Sequence, residues 1–168
     1  MSVLAYLILM TFPVAMAFAA ANDLFTMKIP NRISLVLIAG FVVAAVLMRM
    51  PLSTFGLHLL VAFAVLAANF ALFWKNMLGG GDAKLMAAGA LWIGPFHAIE
   101  YLAYVTIFGG ALALAILSYR NYVSANAFSL PQWALRLHKP GGGIPYGIAI
   151  AAGGLTVFPA TEIFRALV

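Results

Sequence analysis

Residues 55–74 read FGLHLLVAFAVLAANFALFW, an unbroken run with no Asp, Glu, Lys or Arg. A helix rises about 1.5 Å per residue, so a run of this length reaches across a hydrocarbon core of about 30 Å. Trp74 closes it with a residue suited to the membrane–water interface. The rest of the chain is of the same kind. It is 65% hydrophobic and 8% charged over 168 residues, with a mean hydropathy of +1.09. An ordinary soluble domain carries about 25% charged residues. A soluble chain of this size has no core large enough to hide so much apolar surface, so residues 1–168 are expected to form a single integral-membrane domain.

Working outward, further apolar runs lie at residues 3–21, 33–48, 83–94, 97–119 and 144–164. The expected fold is all-α, a polytopic transmembrane helix bundle of about six membrane helices with the fourth short. The first run resembles a secretory signal in length and ends in Ala19-Ala20-Ala21, but no Lys or Arg precedes it. It therefore reads as a retained span. With the N-terminus outside, Lys28, Arg32, Lys75, Lys84, Arg120, Arg136 and Lys139 fall inside, and only Arg49 and Arg165 outside. That asymmetry obeys the positive-inside rule and accounts for the net charge of +5 without nucleic acid. Residues 129–138 read as a short interfacial helix, with Ser129 as cap, Pro131 in its first turn, Trp133 and the leucines toward lipid and Arg136 toward water.

Cysteine is absent. Disulfides, cysteine-bound zinc and a cysteine nucleophile are excluded. His58, His97 and His138 share no metal-ligand spacing and read as interfacial residues, so no metal and no cofactor is expected. Only four residues are acidic. Asp23 lies just past the first run and Asp82 opens the fourth, at the same membrane face in the topology above. Glu100 and Glu162 fall toward the other face. Acidic groups beside lipid are expensive and mark function. Two carboxylates brought together share a proton and can hydrolyse a peptide, one as base toward water and one as acid toward the scissile carbonyl. The helix ends suggest that Asp82, at a helix N-terminus with Lys84 two residues on, is the anion and base, and that Asp23 holds the proton. Gly79-Gly80-Gly81 would supply unusual dihedrals and close backbone approach. The alternative for Asp82 is a plain helix cap after a flexible linker, and for Asp23 a solvated helix end.

Gly79-Gly80-Gly81-Asp82 fits the GxGD motif, and GGGDAKLMAA resembles the second active-site segment of the type IV prepilin peptidases. Asp23 followed by Lys28-Ile29-Pro30-Asn31-Arg32 resembles their first segment. Pro145-Tyr146-Gly147-Ile148-Ala149 resembles the start of their last span. The resemblance implies a membrane-embedded aspartic endopeptidase in the bacterial inner membrane, with its site at the cytoplasmic face. It implies pilin or pseudopilin precursors as substrates, cut between a short basic leader and an apolar helix that lies in the bilayer. Larger members carry a cysteine-containing insert and also methylate the new terminus. This chain has neither cysteine nor room for the insert. It resembles the short form serving tight-adherence (Flp-type) pili, without N-methylation, and an archaeal preflagellin peptidase is a related short form.

Several residues keep two readings. Ile29-Pro30-Asn31 makes a turn that aims Asp23, or touches substrate. Lys84 tunes the dyad, or snorkels to the surface. Pro145-Tyr146-Gly147 shapes the start of the last span, or lends the Tyr146 hydroxyl to the dyad. Asn69 is expected to form an interhelical hydrogen bond, and Gly109-Gly110 and Gly153-Gly154 close helix packing. Two other functions compete. A proton-coupled transporter is disfavoured because both aspartates sit at span ends rather than the midplane. A non-catalytic subunit of a pilus or secretion assembly would tolerate loss of Asp82.

Overall fold

The computed structural model describes residues 3–122, 130–139 and 142–168. All regular structure among them is helical: α1 Val3–Thr26, α2 Asn31–Leu47, α3 Leu52–Trp74, α4 Gly80–Ile93, α5 Ala98–Tyr122, α6 Gln132–His138, α7 Tyr146–Val157 and α8 Glu162–Leu167, with a 3-10 turn at Phe158–Ala160. α1, α3 and α5 are long and apolar enough to cross a membrane, and α2 and residues 146–160 are shorter apolar helices. The chain is a membrane protein built as a helical bundle.

The short fourth helix is the core. At 14 residues α4 is about 21 Å long, and every residue from Leu85 to Ile93 is buried. A helix apolar on all sides must be surrounded, and α2, α3, α5 and α7 pack on it. Trp92, wholly buried, donates its indole N–H to the Leu37 carbonyl of α2 at 2.7 Å. Its ring meets Phe12 and Phe41, and Phe12 stacks on Phe158 at 4.5 Å. Outside this core the polarity inverts. Phe18 on α1, Leu60, Phe63 and Phe70 on α3, and Ile107 and Leu114 on α5 are exposed apolar groups. In water such faces would drive aggregation; in a bilayer they meet lipid.

Short connections of four or five residues join α1 to α2 and α3 to α4, which makes each pair antiparallel. The ends of α1, α3 and α5 and the starts of α2, α4 and α7 therefore share one face. Two of the turns are Schellman motifs with a non-glycine residue in the left-handed region. After α2, Arg49 has φ 52° and Met50 N–H reaches the Ala45 carbonyl at 2.9 Å; after α3, Asn76 has φ 55° and Met77 N–H reaches Leu72 at 3.0 Å.

Several features differ from the sequence reading. α1 continues through Asn22 and Asp23 to Thr26, so Asp23 is a buried helical residue, not a solvated group beyond the helix end. The last run is broken: Pro159 has no N–H to continue the helix, a 3-10 turn follows α7, and the Thr161 hydroxyl accepts from Phe164 N–H to start α8. His58 is not interfacial but buried between α3 and α4, its Nδ1–H donating to the Leu91 carbonyl at 2.7 Å. Asn69 is buried, yet its amide nitrogen has no partner among the described residues. Gly153 packs closely on Val105 of α5, whereas Gly110 faces open space. Ser129 lies outside the described residues, and Pro131 stands before α6 rather than inside it. Arg136 is exposed, as expected, and also donates to the Phe25 carbonyl, and Trp133 meets Phe25 edge-on, so α6 docks on the end of α1.

One backbone position carries a stability prediction. Gly94 ends α4 at φ 78° and ψ 179°, and a Cβ there would lie 2.4 Å from Cε1 of His58. Both the dihedral and the clash oppose any side chain. Gly94→Ala should lower stability by roughly 2–4 kcal/mol, read as a drop in the detergent-solubilised melting temperature.

Candidate active site

Asp23 and Asp82 arrive from separate helices and face the same space. One cavity of about 500 Å³ is lined by both, together with Lys28, Pro30, Asn31 and Gly81. A second, of about 580 Å³, is lined by both with Asn76, Gly143, Ile144 and Tyr146. The pair is thus open from two sides.

Asp23 sits one turn before the end of α1. The Gly147 N–H, at the start of α7, donates to its Oδ2 at 2.8 Å and fixes the orientation of the carboxylate. The approach depends on Gly147 having no side chain: a Cβ would lie 2.9 Å from Oδ2 of Asp23 and 3.0 Å from Cδ1 of Ile29. The turn beside it is tied locally. Asn22 Nδ2 and the Thr26 hydroxyl both bond the Lys28 carbonyl, each at 3.3 Å. Pro30 then holds φ −63° and ψ 137° as the cap of α2.

Asp82 is the third residue of α4, ahead of the apolar run 83–94, and Gly79 rather than Asp82 is the cap. A hydrogen bond from the Gly79 backbone reaches back to its carboxylate, as in a capping box. Burial, and then the charge of Asp23, push the Asp82 carboxyl up from its ordinary 3.8 to about 7, and the Gly79 bond opposes this only in part. The two groups are therefore electrostatically coupled. The glycines act by close approach, not by unusual dihedrals. Gly79 has φ −70°, and a Cβ on it would lie 2.6 Å from Oδ2 of Asp82. Gly81 similarly rests on Ile29.

The other expected residues divide. Ile29, Pro30, Asn31, Gly79, Gly80 and Gly81 line the first cavity and Tyr146 the second. The Tyr146 ring rests against Gly109 of α5, and the wholly buried Pro145 precedes α7. Lys84 lines neither cavity; its Nζ donates to Asn31 Oδ1 at 3.0 Å, linking α4 to α2. His97 pairs with Glu100 at 3.1 Å, outside the site. Among the described residues no group of His, Cys, Asp and Glu is arranged to hold a metal ion.

Arg120 has a role that the sequence did not announce. From the last turn of α5 it donates to the carbonyls of Leu137 at 2.7 Å and Gly142 at 2.9 Å, which fixes the wall that follows α6. The available signal was a lone arginine ending a long apolar helix. Met27, with φ 55°, lines both cavities, and nothing in its sequence context marks it. Seven of the nine basic residues lie on the connections and helix ends around the aspartates; Arg49 and Arg165 lie at the other end.

Residues 10–114, more than half of the chain, match the model of the type IV leader peptidase family. The chain belongs to that family and is by that membership a membrane peptidase. The match takes in Asp23, the Ile29-Pro30-Asn31 turn and Asp82, and stops before α7. Neither a curated protein nor a solved structure matches the chain.

Proposed function

We propose that the chain is an aspartic endopeptidase that removes the short basic leader from pilin-like precursors of the tight-adherence (Flp) type. One observation carries the reading: in a member of the leader peptidase family, two carboxylates from separate helices share one cavity at the basic end of the bundle. By the positive-inside rule that end faces the cytoplasm, and the membrane is the bacterial inner membrane. Residues 1–168 act as one peptidase domain.

The acid–base assignment adopted here is the opposite of the one suggested by helix ends. Asp23, holding the Gly147 N–H, is the base; Asp82, with its raised pKa, is the acid. Asp23 takes a proton from water, whose oxygen bonds the scissile carbonyl carbon while Asp82 gives its proton to the carbonyl oxygen. On collapse the proton held by Asp23 passes to the amine nitrogen, the C–N bond breaks, and Asp82 recovers a proton from the gem-diol. The dyad titrates as a unit, so the assignment names where the proton dwells. No methyl transfer follows.

The test is a processing assay. Purified protein in detergent and in lipid is mixed with a tight-adherence pilin precursor, and the product is weighed. The expected product lacks the leader and carries no added methyl mass. An unchanged precursor in both media would overturn the assignment.

A further inference from the structure

Beside the dyad an apolar groove of about 460 Å³ opens on the lipid-facing side of the bundle. Its walls are α2 and α3, which both pack on α4 and meet each other where Phe41 stacks on Phe55, beyond the far end of the groove. Each wall and the floor contribute the same helical pattern of i, i+3, i+4 and i+7: Asn31 to Ile38 on α2, Leu59 to Leu66 on α3, and Lys84 to Leu91 on α4. The groove therefore runs along the helices for about two turns, or roughly 10 Å. Its floor holds Ala87 and Ala88, both buried. Small residues at such a place let another helix come close.

Two observations connect this groove to substrate rather than to bulk lipid. Asn31 lines both the groove and the first dyad cavity, so the two adjoin at that residue. Ser34, which lines the groove, is 6% exposed, and its hydroxyl has no partner among the described residues. By contrast, the hydroxyls of Thr11, Thr106 and Thr156 bond the preceding turn, at Leu7, Leu102 and Ala152. An unpaired hydroxyl at an apolar surface is costly unless a ligand supplies the bond, and an acyl chain cannot.

From this, and resting on the function proposed above, we infer that the α2–α3–α4 groove seats the apolar helix of the precursor, starting at Asn31 and running toward Leu91. Charge sets the direction. The cavity adjoining the groove is lined by Lys28, and Lys84 stands at the groove mouth. Among the described residues, the cavity on the Tyr146 side is lined by no basic residue. A basic leader is repelled from the first and accepted by the second. The scissile bond then crosses the dyad between them.

The chain has no cysteine, so single reporter cysteines can be placed freely. In an Asp82→Asn background, Ala62→Cys and Leu35→Cys should form disulfides with a cysteine in the first two turns of the precursor helix. Leu114→Cys, on the outer face of α5, should not. In the active enzyme, Ala62→Trp should raise KM at least about tenfold and leave kcat within about twofold. Precursor that the wild type processes but that is captured no better at Ala62 and Leu35 than at Leu114, or an unchanged KM for Ala62→Trp, would assign the groove to lipid and overturn the inference. A wild type that processes no precursor overturns the function itself, and the groove assignment with it.

Discussion

Asp23→Asn and Asp82→Asn are each expected to slow precursor cleavage by at least about 10³-fold, and the double variant should be no slower than the worse single one. An amide keeps the shape of either residue but can neither take the proton from water nor give one to the carbonyl oxygen. Because the two act on one reacting carbon, removing the second after the first has little left to remove. Additive losses in single-turnover assays would mean the two do not act together. The same pair sets the pH dependence. Asp82 must be protonated, and its pKa of about 7 makes cleavage fall roughly tenfold per pH unit above that value. Stability moves with the same sign. The folded value lies above the ordinary 3.8, so folding favours the proton, and this contribution is full below about 3.8 and lost as pH rises to about 7. At pH 8 Asp82→Asn should therefore be more stable than wild type, by at most about 4 kcal/mol and less for the solvent reaching this half-buried group. Melting curves of the two proteins at pH 5 and pH 8 measure it.

Gly147→Ala should lower kcat about 10²-fold with little change in KM. Its new methyl would stand 2.9 Å from Asp23 Oδ2. Relief requires Asp23 or the start of α7 to move, which lengthens the N–H bond that orients the carboxylate. Displacing a catalytic group by about 1 Å costs this order of rate. Gly110→Ala is the control: a Cβ there meets nothing within 4 Å, and it should leave the rate unchanged. Equal rates for both variants would remove Gly147 from the positioning of Asp23.

The spans were legible because hydropathy decides them directly. The run 55–74 became α3 with three more residues at its start. Helix ends were less so. Hydropathy stops at Ala21, but helical hydrogen bonding has no reason to, and α1 carries on through Asp23. Pro159 was in plain view within a run that otherwise read as continuous. His58 shows the harder limit: its burial depends on α4 covering it, and nothing within α3 records that neighbour. Around the aspartates, topology put both on one face, and the glycines singled out in the sequence act by close approach rather than dihedral freedom. The Gly147 donor, 124 residues from Asp23, comes from a backbone atom and so leaves no side-chain signature.

The donor's position bears on how far this chain can be divided. The stretch that carries the family signature, residues 10–114, holds both aspartates but not the helix that supplies the Gly147 N–H. That helix, α7, packs on both α1 and α5. A truncation after α5 would keep both aspartates and lose the amide that bonds one of them. Under the proposed function the smallest working unit is set by that backbone amide, and a fragment chosen by its signature alone is expected to be an intact motif without a working centre.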